Sequence, residues 1–403
     1  MEHSPYANKM ARLLVLVVVM AAVGQMTQTM YVPSIADMAS HFSVPATYLQ
    51  AVMAAYLIPY GLSQFVYGPL SDRIGRRPVV LIGMSIFIMG SIVSLTAPNF
   101  ELFLVGSFIQ GMGTGCSGAM ARTVTRDCFE GPMLHKANSM VSMGVIFSPL
   151  LAPVLGGLLT SWFDWTATYQ FLLIMGIVVT VVMYLFFMET LPEERRQPEK
   201  VLTSYRYVLG NPRYQGYLLC LIATFAGIAV YEAAVGVLLG GVLKLDSATV
   251  SWLFVMPLPG YFLGSWLSGY LIKYMPCSRM LFISSIALVL GSVVIIVPGM
   301  AGQVTVGTLI GGGFLYFLGA GVLFPAATTA AISPFPNHAG TAGAVLGGAQ
   351  NLGAGVAAMA ASFMAMDNQF NLGAIMAVVS TLTVVSLLWV RNQKDTSDLE
   401  VAL

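Results

Sequence analysis

The stretch GPLSDRIGRRPVVL, from Gly68 to Leu81, concentrates charge between two long apolar segments. Its charged residues are Asp72, Arg73, Arg76 and Arg77. The segments on both sides have the composition of helices that cross a bilayer. The stretch therefore predicts a membrane protein in which a short charged turn joins two spanning helices.

Two roles are open for this turn. Pro69 and Gly75 shape its backbone, and Asp72 can pair with an arginine and face the end of a neighbouring helix. Breaking that contact would free a pair of helices to move, which favours a gating role. The residues assigned to this gating turn are Gly68, Asp72, Arg73, Gly75, Arg76 and Arg77. Alternatively, the arginines anchor the topology by charge alone, which leaves Asp72 and the glycines unexplained. A degraded copy, GYLIKYMPCSR from Gly269, keeps a glycine and two basic residues without the Asp-Arg pair.

The composition excludes several classes of protein. The chain is 57% hydrophobic and 9% charged, whereas soluble domains carry about 25% charged residues. Its net charge of +1 gives no indication of nucleic-acid binding. The sequence shows neither a nucleotide-binding motif nor clustered His, Asp or Glu at membrane depth, so an enzyme or an ATP-driven pump is unsupported. A sensor or scaffold would need a large domain outside the membrane, which the sequence lacks.

Apolar segments recur along the whole chain. A spanning helix needs ~20 apolar residues, because ~30 Å of hydrocarbon is crossed at ~1.5 Å per residue. Twelve such segments are predicted, at 12–32, 48–70, 79–97, 101–122, 138–160, 166–188, 214–239, 249–272, 279–298, 304–328, 339–363 and 371–390. We therefore expect an all-α membrane protein.

Charge placement predicts the topology. Of the 18 Lys and Arg residues, all but Lys244 fall on the side of the membrane that would hold both termini. Basic residues accumulate on the cytoplasmic side, so both termini are expected there. The longest polar interval separates six helices from six. It predicts an N-terminal bundle at 1–190, a cytoplasmic linker at 191–212 and a C-terminal bundle at 213–403.

The fourth and fifth segments are rich in glycine and proline. Pro149 and Pro153 each remove a backbone donor and bend the fifth segment. Glycines allow helices to approach closely in lipid, as expected for Gly111, Gly113 and Gly115 in the fourth segment. The fifth carries the set Gly144, Ser148, Pro149, Pro153, Gly156 and Gly157. By its distance from Glu101, Arg122 is expected at the cytoplasmic edge of the fourth segment.

These features resemble the twelve-helix drug:proton antiporters of the major facilitator superfamily. The resemblance covers nearly the whole chain and includes VGQMTQTMYVPSIADMA (Val23 to Ala39), SPLLAPVLGGLL (Ser148 to Leu159), LFPAAT (Leu323 to Thr328) and AGTAGAVLGG (Ala339 to Gly348). It implies two six-helix bundles around a central cavity. The implied activity is outward pumping of lipophilic drugs and dyes, driven by inward proton flow, in the bacterial inner membrane. No cofactor is implied, and we expect a monomer.

The resemblance also assigns two motifs. The set in the fifth segment is similar to the antiporter motif of drug exporters, with Ser148 in place of its first glycine. The fourth segment is similar to the family's RxxQG motif at Gln110 and Gly111, but Ser107 stands where the family has arginine. A proton relay through that arginine is therefore not expected here.

Two acids are candidates for proton coupling. Glu232 is the acid that lies within an apolar segment, and ionisable residues in the membrane are generally functional. Because burial disfavours the charged form of a carboxylate, such a group can exchange a proton near neutral pH. Asp37, expected near the outer interface, is the second candidate. For both acids, the alternative is a structural partner to a neighbouring polar group.

Polar and aromatic residues in the first two segments predict a substrate cavity. The residues assigned to it are Gln25, Gln28, Thr29, Tyr56, Tyr60 and Gln64. The spacing of Tyr56, Tyr60 and Gln64 places them on one helical face, where amphipathic groups suit apolar ligands. For any tyrosine the alternative is an interfacial anchor. The main rival function is proton-coupled uptake or export of a specific small metabolite.

Overall fold

A computed structural model describes residues 5–129, 141, 148, 151–193, 201–335 and 338–393. Every regular element in this part of the chain is helical. The elements up to residue 193 are α1 (Pro5–Thr29), a 3₁₀ turn (Val32–Ser34), α2 (Ile35–Phe42), a 3₁₀ turn (Ala46–Leu49), α3 (Gln50–Ile74), α4 (Arg76–Leu95), α5 (Phe100–Cys128), α6 (Leu151–Trp162) and α7 (Trp165–Phe186). The elements that follow are α8 (Val201–Leu209), α9 (Pro212–Gly236), a π-helical turn (Val237–Val242), α10 (Ser247–Val255), α11 (Leu258–Leu271), α12 (Cys277–Met300), α13 (Val306–Ile332), α14 (Ala339–Ser362) and α15 (Phe370–Asn392).

Helical segments lie in each of the twelve predicted spans, the eighth of which holds both α10 and α11. Helix α2, just after the first span, and α8, in the predicted linker, are additional short helices. Ten helical segments of the described chain are long and apolar enough to cross a membrane. Helix α5 has 29 residues but is less apolar than these ten because glycine and polar residues run through it. Helix α6 is described from Leu151 onward, so the first part of its predicted span lies outside the described residues.

Prolines divide the helices of two membrane-spanning segments, which the sequence interpretation missed. The eighth span, predicted as one helix, consists of α10 and α11, which meet at Met256 and Pro257. The first span continues past its predicted end at residue 32 through the 3₁₀ turn that contains Pro33 and into α2. Proline lacks the amide hydrogen that a continuous helix requires, so the helix is interrupted at both places.

The charged stretch is more helical than predicted. Residues 68–74 form the last turns of α3, and the turn itself reduces to Gly75, whose φ of +99° ends one helix before Arg76 begins the next. A positive φ is readily adopted by glycine. Helix α5 continues past Arg122 to Cys128, beyond the predicted end of the fourth span.

Side-chain caps fix where several helices begin. Asn99, Asp164, Asn211 and Asp246 each accept a hydrogen bond from a backbone amide in the first turn of the helix that follows. Such caps satisfy amides that have no partner within the helix. The Thr166 hydroxyl and the first amides of α7 lower the pKa of Asp164. These polar residues mark the loops between apolar segments.

Glycine allows neighbouring helices to touch backbone to backbone, as predicted. A Cβ at Gly90 would lie 2.5 Å from the amide nitrogen of Gln110, and α4 and α5 pack closely there. In the C-terminal half a Cβ at Gly291 would lie 2.6 Å from the carbonyl oxygen of Gly312, where α12 meets α13. In both halves a larger residue at the glycine position would hold the two helices apart.

Close glycine contacts join the two halves at several places in the described part of the chain. Helices α3 and α14 pack at Gly61, where a Cβ would lie 2.5 Å from the amide nitrogen of Leu352. A Cβ at Gly236, at the end of α9, would lie 2.9 Å from the carbonyl oxygen of Val32. Helices α6 and α10 meet where Gly157 lies against Ser251. The N-terminal and C-terminal helices are therefore joined directly as well as through the linker.

Candidate functional site

Glu232 lies on α9, where the two halves of the molecule meet. It is 5% exposed, and its carboxylate accepts a hydrogen bond of 3.0 Å from the amide nitrogen of Gln28 on α1. These residues are 204 positions apart in the sequence. A buried carboxylate that can be charged or neutral is thus held by one neutral side chain from the opposite half.

Reciprocal tyrosine contacts fix the orientation of α9. The ring of Tyr231 fits against Gly313 on α13, and the ring of Tyr316 on α13 fits against Gly227 on α9. The Tyr231 hydroxyl also donates a 3.2 Å hydrogen bond to the carbonyl oxygen of Leu309. Because Tyr231 precedes Glu232, this interlock sets the rotation of the helix that presents the carboxylate. The sequence interpretation missed it, although each of the two helices supplies one glycine and one tyrosine to the contact.

The residues predicted to line a cavity fall into two groups. The Tyr56 hydroxyl donates a 2.7 Å hydrogen bond to the carbonyl oxygen of Gly24 and lies 2.8 Å from the hydroxyl of Thr114, so Tyr56 joins α1, α3 and α5. Its ring lies 5.7 Å from that of Tyr60. Tyr56, Tyr60 and Gln64 are all buried along α3, as their spacing predicted.

The second group lies on α1. Gln28 and Thr29 are buried, and Gln25 is half-buried. The Thr29 hydroxyl and the Gln64 amide nitrogen are buried without a hydrogen-bond partner among the described residues. Unpaired buried polar atoms are uncommon and call for an explanation such as a ligand or water. These two atoms can serve as hydrogen-bonding groups for a bound molecule.

Asp37 occupies a different environment from Glu232. It is exposed on α2, and its carboxylate accepts a 3.3 Å hydrogen bond from the hydroxyl of Ser247 at the start of α10. This contact also joins the two halves. An exposed carboxylate stays solvated by water, so it lacks the desolvation that burial gives Glu232.

Arg76 is the centre of the charged turn. Its side chain is buried, and its Nε donates a 2.8 Å hydrogen bond to a carboxylate oxygen of Asp127 at the end of α5. Its Nη1 donates to the hydroxyl of Ser71 at 2.6 Å and forms an ion pair with Asp72. The predicted pairing of Asp72 with an arginine of the turn is present in the structure. Through these partners the Arg76 side chain links α3, α4 and α5.

Glu189, just after α7, completes this cluster. Its carboxylate accepts hydrogen bonds from the backbone amides of Arg76 at 2.9 Å and Arg77 at 3.2 Å. A negative charge is favourable at these amides because they begin α4, where the helix dipole is positive. The Arg77 side chain donates to the carbonyl oxygen of Tyr184 on α7 at 2.7 Å. The cluster therefore holds four helices of the N-terminal half together.

The other turn residues contribute less to this arrangement. Arg73 is exposed. A Cβ at Gly68 would meet no atom within 4 Å, so close packing does not require glycine there. Asp127 and Glu189 were missed in the sequence, where only basic residues were assigned to sides of the membrane. Both acids fall on the same side as the arginines of the turn, and that was the available signal.

The motif of the fifth span lies at the contact between halves. Gly156 packs against the carbonyl oxygen of Met30 near the end of α1, and Gly157 packs against Ser251 on α10. Pro153 is buried within α6, and Ser148 is buried ahead of it. Gly144 and Pro149 lie outside the described residues, as does the side chain of Arg122.

Ser107 stands where the family motif has an arginine, and its hydroxyl is hydrogen-bonded within its own helix. It is buried on α5, and its hydroxyl donates to the carbonyl oxygen of Phe103 in the preceding turn at 3.1 Å. The described part of the chain contains no group of three or more His, Cys, Asp or Glu side chains that could hold a metal ion.

Comparisons with known proteins agree on one family. The sequence profile described as Major Facilitator Superfamily matches residues 17–242. Multidrug resistance protein D of Escherichia coli (strain K12) is 46% identical over 373 residues, which cover 93% of this chain and 94% of that protein. The bicyclomycin resistance protein homolog of Haemophilus influenzae is 23% identical and covers 91% of this chain and 93% of its own length.

Solved structures share the fold. The xylose transporter XylE from Escherichia coli, in a partially occluded inward-open conformation, superimposes with a TM-score of 0.71 at 14% identity, covering 94% of this chain and 97% of its own. A D-xylose-proton symporter superimposes with a TM-score of 0.76 at 15% identity, with the same coverage of 94% and 97%. The predicted all-α fold of two bundles and the prediction of a transporter instead of an enzyme are thus confirmed. The chain belongs to the Major Facilitator Superfamily.

Proposed function

We propose that this protein is a multidrug exporter that exchanges apolar and amphipathic compounds for protons by alternating access. The observation that carries the proposal is the buried hydrogen bond between Gln28 and Glu232 across the two halves. A carboxylate placed there alters the contact between the halves each time it gains or loses a proton. Similarity to Multidrug resistance protein D of Escherichia coli supports drugs as the substrates.

The coupling follows from the chemistry of the pair. A charged Glu232 accepts a strong hydrogen bond from Gln28, whereas a protonated Glu232 can be buried at a lower desolvation cost. Proton binding thus changes the energy of the contact between α1 and α9. Buried Tyr56, Tyr60 and Gln64 supply aromatic surface and polar groups for a lipophilic compound, a combination typical of small-molecule sites.

The proposed arrangement in the cell keeps the bundles, the orientation and the monomeric state that we expect from the sequence. Residues 1–190 form the N-terminal bundle, 191–212 the cytoplasmic linker and 213–403 the C-terminal bundle. Both termini face the cytoplasm, since basic residues favour that side. The protein acts as a monomer in the bacterial inner membrane.

Dye accumulation in cells tests the direction of transport. Expression of the chain is expected to lower the accumulation of a lipophilic cationic dye, and a protonophore is expected to abolish the difference from cells with an empty vector. Growth tolerance to the dye should rise in parallel. Higher accumulation would instead indicate uptake, and an effect that survives the protonophore would exclude proton coupling.

A further inference from the structure

The two halves differ in how their charges are paired at the end of the molecule that carries the charged turn. In the N-terminal half, Arg76 is paired with Asp72 and Asp127, and Glu189 holds the amides that begin α4. The C-terminal half presents the exposed cations Lys273, Arg279 and Arg391 at the same end, next to the exposed Arg206 of α8. Between residues 201 and 393 the acids are Glu232, Asp246 and Asp367. None of the three lies beside these cations in the chain.

The degraded copy of the charged turn explains this difference. Counting from Gly68 and Gly269, Lys273 takes the position of Asp72, and Cys277 takes the position of Arg76. The pair that closes the turn in the N-terminal half is therefore replaced by a single cation. Lys273 and Arg279 are exposed and have no carboxylate within ion-pair distance in the part of the chain that the structure describes.

A row of exposed aromatic rings ends at Tyr274, which follows Lys273 and precedes Arg279 by five residues in the chain. The Trp266 and Tyr270 rings on α11 are stacked with centroids 5.9 Å apart, and the Tyr274 ring lies 5.0 Å beyond that of Tyr270. We call Trp266, Tyr270 and Tyr274 the aromatic ladder. Its members are 65%, 48% and 69% exposed. A Cβ at Gly269 would meet no atom within 4 Å, so open space adjoins the ladder.

We propose that the aromatic ladder, with Lys273 and Arg279, binds a phospholipid with an anionic headgroup. Lys273 and Arg279 bind the phosphate and the headgroup charge. The hydroxyls of Tyr270 and Tyr274 lie at the depth of the glycerol esters, and the acyl chain follows the face of Trp266. Trp266 lies within the span Ser247–Leu271, which is long and apolar enough to cross a membrane.

Charge and depth together favour this occupant over others. Basic residues at a membrane surface attract anionic lipid by ~1 kcal/mol each, which corresponds to about fivefold in binding. A soluble anion would gain nothing from the aromatic ladder, whereas a zwitterionic lipid would gain little from the two cations. The surface therefore combines the features that distinguish an anionic lipid from both.

Quenching of Trp266 fluorescence by brominated lipid tests the proposal. The protein is reconstituted in vesicles containing phosphatidylglycerol or phosphatidylcholine with brominated chains. The fluorescence of Trp266 is obtained as the difference between the unmodified protein and Trp266→Leu. The corresponding difference for Trp252→Leu gives the fluorescence of Trp252, a similarly exposed tryptophan near the other end of the same span. We expect phosphatidylglycerol to be preferred at Trp266 by about fivefold or more, without a matching preference at Trp252.

Charge variants separate a specific site from general attraction. Lys273→Gln with Arg279→Gln should bring the preference at Trp266 close to one, and added salt should weaken it in the unmodified protein. Arg12→Gln with Arg73→Gln removes the same charge from the N-terminal half and should leave it unchanged. An equal loss in both double variants would overturn the site. The acids Asp395, Asp398 and Glu400 near the end of the chain could pair with the two cations instead of lipid. The proposal therefore also fails if the preference for phosphatidylglycerol at Trp266 appears only after these three acids are neutralised.

Discussion

Two buried charged side chains, Glu232 and Arg76, differ in where their partners lie. Glu232 is buried and held by Gln28 from the opposite half. Arg76 is buried too, but its partners Asp72 and Asp127 belong to the same half. A change of charge at Glu232 therefore acts on the contact between halves, whereas a change at Asp72 acts on the packing within one half.

Replacing Glu232 by glutamine tests proton coupling. Glu232→Gln keeps the size and hydrogen bonding of the side chain but cannot titrate, so we expect drug-driven proton release to fall to background while binding of uncharged substrates persists. Proton release on drug addition in proteoliposomes between pH 6 and 8 is the measurement. Asp37→Asn is the matched control and should retain release because Asp37 is exposed. Normal release in Glu232→Gln and its loss in Asp37→Asn would move the assignment to Asp37.

Asp72→Asn tests whether the turn does more than anchor the topology. The substitution removes one of two carboxylates from Arg76. A hydrogen bond to a charged group contributes ~1.5–3 kcal/mol, and Asp72 is 38% exposed, so we expect transport to slow by about tenfold. Arg73→Gln, which removes an exposed charge of the same turn, should have a smaller effect. If Asp72→Asn transports at the normal rate, the turn is only a topology signal.

Among the elements, glycine-rich helices provide the contacts between the halves. Helix α14 lies against α3 with backbone atoms in contact near Gly61, and α6 meets α10 at Gly157. Small residues make such contacts close without large side chains that would have to repack when the helices move. Proline interrupts the first and eighth spans near the same region, at Pro33 and Pro257. The short helices α2 and α10 therefore lie beside these interruptions.

Two glycines on α3 offer a matched test of this packing. A Cβ at Gly61 would lie 2.5 Å from the backbone of Leu352, whereas a Cβ at Gly68 would meet nothing within 4 Å. We expect Gly61→Ala to lower stability by ~1–3 kcal/mol, as overpacking does, and to reduce transport. Gly68→Ala should unfold at the normal temperature. Thermal unfolding in detergent and dye efflux measure the two effects. Impaired efflux by a stable Gly68→Ala would place the need for this glycine in another state of the cycle.

At the scale of the whole molecule, α8 bridges the two halves at the charged end. The ring of Tyr205 lies 6.4 Å from that of Phe65 on α3. The ring of Tyr207 lies 5.8 Å from that of Phe335 and 5.0 Å from that of His338, next to α14. The linker therefore contacts both halves instead of only connecting them. Such a contact stabilises the state in which the halves are close at this end.

Removing both rings should favour opening at the charged end. Aromatic pairs contribute ~0.5–1.5 kcal/mol each, so Tyr205→Ala with Tyr207→Ala is expected to shift the equilibrium by about tenfold. The measurement is the distance between spin labels at Arg73 and Lys273, one exposed position in each half. Tyr205→Phe with Tyr207→Phe keeps both rings and should retain the original distances. Unchanged distances in the alanine variant would mean that α8 is a passive connection.

The sequence by itself determined the membrane class, the positions of the apolar helices and the place of the charged stretch, because the length of an apolar segment and the placement of charge are local properties. It also identified Glu232, since an acid within an apolar segment stands out on composition alone. The tertiary structure decided which side chains meet: Gln28 with Glu232, and Asp127 with Arg76. Such partners come from distant parts of the chain, and their contact depends on helix rotation and packing, which the order of residues does not display. The interlock of Tyr231 with Gly313 has the same origin, because a glycine becomes a binding surface only when another helix lies against it.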